Sequence, residues 1–150
     1  KSEREMTQLP AEHEMLIAFL MNLLMIEVRA ERAFDFYERV ISAPETFADK
    51  PKEAAHAVEL VNRIRIDESV HVAWLRAAIS EFRSFTIKTV DGNEMPGAEI
   101  LDPVWQKMVY WHAVEMHKTI RPRNIATVKE SVLALQNGEQ LFEQFIALAA

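Results

Sequence analysis

The chain contains no cysteine, which removes disulfides, thiolate zinc sites, iron–sulfur clusters and cysteine nucleophiles together. Glycine is nearly as scarce, at three in 150 residues, so little of the backbone is built for irregular conformation. Basic runs are missing as well. With a formal charge of -6, that argues against a nucleic-acid partner, since phosphate binding needs clustered Lys and Arg. No apolar stretch is long enough for a membrane span; the longest, Met15 to Val28, is interrupted by Asn22 and Glu27. The N-terminus lacks the features of a signal peptide, and the cytoplasm is the expected location.

What remains is a helix-forming composition. Hydrophobic residues make up 49% of the chain, enough for one domain over residues 1–150 with a sizeable core. Alanine, leucine, glutamate, methionine and arginine dominate long stretches, which predicts an all-α fold. A first helix is expected from about Pro10 to Ile41, with the seam Leu16, Leu20, Leu23, Glu27, Ala30, Phe34, Tyr37 and Ile41. A second spans about Pro51 to Ser84, with Ala54, Ala57, Val61, Ile64, Glu68, His71, Leu75, Ala78 and Phe82 inward. The stretch FTIKTVDGNEMPGAEIL then alternates and breaks, a long connection holding one short hairpin at Asp91-Gly92.

Asp102-Pro103 reads as the cap and first turn of a third helix, which Pro122 stops or kinks. A fourth helix begins near Asn124 with the seam Ile125, Val128, Val132, Leu135, Glu139, Phe142, Ile146 and Ala149, and Gly138 threatens its middle. Four amphipathic helices of this length predict a four-helix bundle.

The seams also hold charge. Glu27, Glu68, His71, His112, Glu115 and Glu139 all fall inward by helical phase, while no Arg or Lys does. Buried carboxylates without partners cost several kcal/mol each, and four together repel. Protonation, basic partners or a bound cation are the remedies, and the seams lack the second. Glu68 and His71, three apart, share one helix face. Glu27 lies about fifteen residues before the end of the first helix and Glu68 about as far past the start of the second, so antiparallel packing brings them level. Carboxylate and imidazole donors together suit iron or manganese.

Glu27 with Ala30 and Phe34, followed by DESVH in the second helix, resembles the first half of the ferritin-like di-iron carboxylate proteins. The long connection after the second helix fits the same group. The resemblance implies a ferritin-like bundle binding two iron ions (or manganese), an oxidoreductase reacting dioxygen with a small-molecule substrate, and a homo-oligomer. In that group the third helix supplies a Glu and the fourth a second Glu-x-x-His. Here the third offers His112 and Glu115 in reversed order, and the fourth offers Glu139 without a histidine.

Two other readings stay open. One is ferroxidase and iron storage, with the same centre in a closed shell. The other is a metal-free helical interaction module whose polar layer sets helix register.

Overall fold

The computed structural model describes residues 3–149, apart from the side chains of Arg121, Leu148 and Ala149; the seam position expected for Ala149 therefore lies outside the described residues. Helix makes up 78% of the structure, which bears out the all-α reading. The elements are α1 (Ala11–Ser42), α2 (Pro51–Ser84), β1 (Thr86–Lys88), β2 (Glu94–Pro96), α3 (Gly97–Tyr110), a π-helical turn (Trp111–Glu115), α4 (Met116–Leu133) and α5 (Gly138–Ala149). No helix among the described residues is long and apolar enough to cross a membrane.

The chain forms two compact units. One holds the residues up to Val28 with Val70–Glu115; the other holds Arg29–Ser69 with the residues from Met116 onward. The first contains most of the buried core: Ile17, Met21 and Leu24 of α1 pack with Val72, Leu75 and Ile79 of α2 and with Ile100, Leu101 and Val104 of α3. The second holds a group of aromatic contacts. Phe145 of α5 meets Phe36 edge-on at 5.7 Å and stacks on Phe142, over which the Lys129 ammonium lies at 5.5 Å.

The buried stripe of α1 departs from the expected seam. Glu14, Ile17, Met21 and Leu24 are buried, whereas Leu16 and Tyr37 are about half exposed. The cause is visible in the sequence from Met15 to Ile26, which is apolar almost all round and so leaves the phase of the helix undetermined. On α2 the stripe is Val72, Leu75 and Ile79, with Ile64 well exposed.

An N-terminal strap completes the first unit. Met6 and Leu9 are buried beside α1, and the Val90 amide donates to the Gln8 carbonyl at 2.9 Å. Glu14 fastens the strap by accepting from the Arg4 guanidinium and from the amides of Glu5 (2.7 Å) and Met6 (3.0 Å). Burial works to raise its pKa, but these donors prevail and hold it below the ordinary 4.5. A depressed folded value means that the stabilisation is present above the ordinary carboxylate range and is lost as pH falls through the folded pKa. Glu14→Gln is expected to cost about 1–3 kcal/mol at neutral pH and to flatten the acid limb. Urea titrations at pH 7 and pH 3 check this; equal losses at both would contradict it.

The hairpin forms where the Asp-Gly pair predicts it. Thr86 faces Pro96, Ile87 faces Met95 and Lys88 faces Glu94, and Gly92 takes the positive φ of 86° that the turn requires.

Two helix boundaries correct the sequence reading. The third helix begins at Gly97, not at Asp102-Pro103. Asp102 is occupied by Arg83, whose Nε and Nη2 donate to its two carboxylate oxygens at 2.6 and 2.9 Å. Nor does Pro122 end the helix, which continues to Leu133. The break comes at residues 134–137, where Asn137 adopts φ 62°. Gly138 then starts α5 so close to Leu133 and the Val132 carbonyl that no side chain fits there.

Candidate metal centre

Glu27 projects from α1, and Glu68 and His71 project from successive turns of α2. Each offers one ligand atom, and the three atoms lie within 4.8 Å of one another. Glu27 and Glu68 are half-buried and His71 is exposed, so His71 does not face inward as its phase suggests. One turn away stand the apolar Leu23, Leu24 and Leu75, the last two buried.

The donor set fits a first-row transition metal. Two carboxylates and an imidazole combine hard oxygen with nitrogen. Donors about 2.1 Å from one ion lie at most about 4.2 Å apart, a spacing these side chains reach by small adjustments. Two carboxylates this close also repel each other, a cost that a cation removes.

The other three expected ligands fall outside this group. His112 is buried at 5% exposure on the π-helical turn. Its Nε2 is 3.2 Å from the Asn22 Oδ1, and its ring stands edge-on to Trp111 at 4.8 Å. It ends a cleft of about 450 Å³ that Met6, Ala18, Val104 and Met108 also line. Glu115, half-buried, accepts a hydrogen bond from the Tyr110 hydroxyl; that bond, Glu115's charge and burial together raise the tyrosine pKa. Glu139 is exposed rather than inward, in the first turn of α5, where a carboxylate complements the helix dipole.

Three features of this region were not assigned from the sequence: the π-helical turn, the pairing of Asn22 with His112, and that of Tyr110 with Glu115. A π turn takes in an extra residue and is frequent at functional sites; here it carries both His112 and Glu115. Asn22 did leave a signal, as the lone amide within a dozen apolar residues.

Comparison with protein-family models, curated proteins and solved structures found no match to this chain.

Proposed function

We propose that the chain is a ferritin-like helical-bundle protein with a di-iron centre (manganese as the substitute metal), a cytoplasmic homo-oligomeric oxidoreductase that uses dioxygen on a small-molecule substrate. The observation that carries the reading is the convergence of Glu27, Glu68 and His71 from two helices. In the ferritin-like pattern these are a first-helix Glu and a second-helix Glu-x-x-His. They would hold one ion. His112 and Glu115 on the π-helical turn are the donors assigned to a second.

When bound, iron supplies the electrons for dioxygen reduction. The chain contributes the rest. Glu27 and Glu68 bring negative charge to offset the cation, and His71 binds as a neutral imidazole. Leu24 and Leu75 limit water beside the carboxylates.

The test is metal retention. Metal-free protein loaded with ferrous iron under nitrogen, then desalted, should keep about one to two ions per chain, and Glu68→Ala should lower this at least tenfold. The reduced, loaded protein should consume oxygen. Retention no greater than that of Glu68→Ala, with iron and manganese alike, sinks the reading.

A further inference from the structure

The outer side of α2 displays apolar side chains on the side away from the core. Val70 is 63% exposed and Trp74 is 61% exposed, and Ile66 beside them is more than half exposed. At about 100° per residue, they lie opposite the buried Val72, Leu75 and Ile79. A solvated face gains nothing from an indole at its centre, and apolar patches of this kind mark interaction surfaces.

The stripe has an order. Arg63, Asp67, Val70, Trp74, Ala77 and Glu81 are all exposed, and their steps run four, three, four, three, four, the spacing of a helix–helix seam. That series reads the same from either end. Two such helices laid antiparallel, with a twofold axis level with residue 72, match Val70 of each copy with Trp74 of the other. The same operation sets Arg63 against Glu81 at both ends, while Asp67 falls opposite Ala77. A twofold interface requires this self-complementarity of one patch, and the end charges attract in the antiparallel arrangement only.

We propose that a second copy of the chain covers this face, forming an antiparallel α2–α2 dimer. The stripe from Arg63 to Glu81 is about 27 Å long. A lasting interface buries roughly 800 Å² on each partner, more than one helix stripe supplies. Met15, Phe19 and Ile26, exposed on α1 away from its own buried stripe, contribute the remainder. Nothing in this inference depends on metal.

The experiment therefore uses metal-free protein, with size-exclusion chromatography and light scattering at about 1 and 100 µM. The expected mass at the higher concentration is twice the 17.3 kDa of one chain. Trp74→Glu should give the single-chain mass at both concentrations. Arg63→Glu and Glu81→Arg should each raise the dimer dissociation constant about tenfold or more. Combining them should recover affinity to within about threefold of the parent. Both charged positions are exposed, so the swap tests the pairing even if Trp74→Glu fails to fold; an unchanged helical circular dichroism spectrum confirms that the swap variants are folded. A single-chain mass at 100 µM, a dimer that persists in folded Trp74→Glu, or charge reversals without loss and recovery overturns the proposal.

Discussion

Leu101→Ala is expected to lower stability by about 3–5 kcal/mol. Leu101 is fully buried at 0% exposure, in the cluster where α1, α2 and α3 meet. Its removal costs the transfer energy of the lost methyl and methylene groups, together with a cavity that three helices cannot collapse to fill. For a chain of this size the loss corresponds to a fall in melting temperature of roughly 6 to 20 °C. Leu135→Ala is the control: Leu135 is largely exposed just before α5, and truncating it should cost less than about 0.5 kcal/mol. Thermal scans of the two variants side by side decide the matter, and similar losses would place the core elsewhere.

Gly97→Ala should destabilise by about 2–4 kcal/mol, against the usual gain of up to 1 kcal/mol from replacing a helical glycine with alanine. Gly97 begins α3, is buried, and donates its amide to the Phe85 carbonyl at 2.8 Å. A Cβ there would run into the Phe82 carbonyl oxygen. That atom is backbone, so relief requires the end of α2 or the start of α3 to shift. Gly92 offers the contrast, because it has positive φ and open space around it. Gly92→Ala should cost only about 1 kcal/mol, from backbone strain alone. Chemical denaturation of both variants tests the ordering, and a Gly97→Ala protein as stable as the parent would rule out the close approach.

Part of the fold was legible in the sequence. Helix content was legible because glycine is scarce and strong helix formers are everywhere. The hairpin was legible because Asp91-Gly92 is a local turn signal. The approach of Glu27 to Glu68 and His71 follows from counting along two helices that pack antiparallel.

The misreadings share a physical origin, since each turned on a choice that local residues leave open. Between Met15 and Ile26 almost every helix face is apolar, so packing against α2 and α3, distant in sequence, decides which one is buried. Asp102-Pro103 carries a cap signature, yet Arg83, nineteen residues earlier, claims the carboxylate. Pro122, read from the sequence as stopping or kinking the helix, does not stop it. The π-helical turn is a slip in hydrogen bonding, without a composition of its own, and so went unassigned, although His112 is buried as its phase suggests.

The strap has a consequence for where this domain can be cut. A boundary drawn at Ala11, where regular helix begins, would discard the side chains of Met6 and Leu9 and leave the Glu14 carboxylate facing an emptied groove without the donors that steady it. The strap from Arg4 to Leu9 is thus part of the folding unit, and truncating it would injure the core as surely as a substitution inside it.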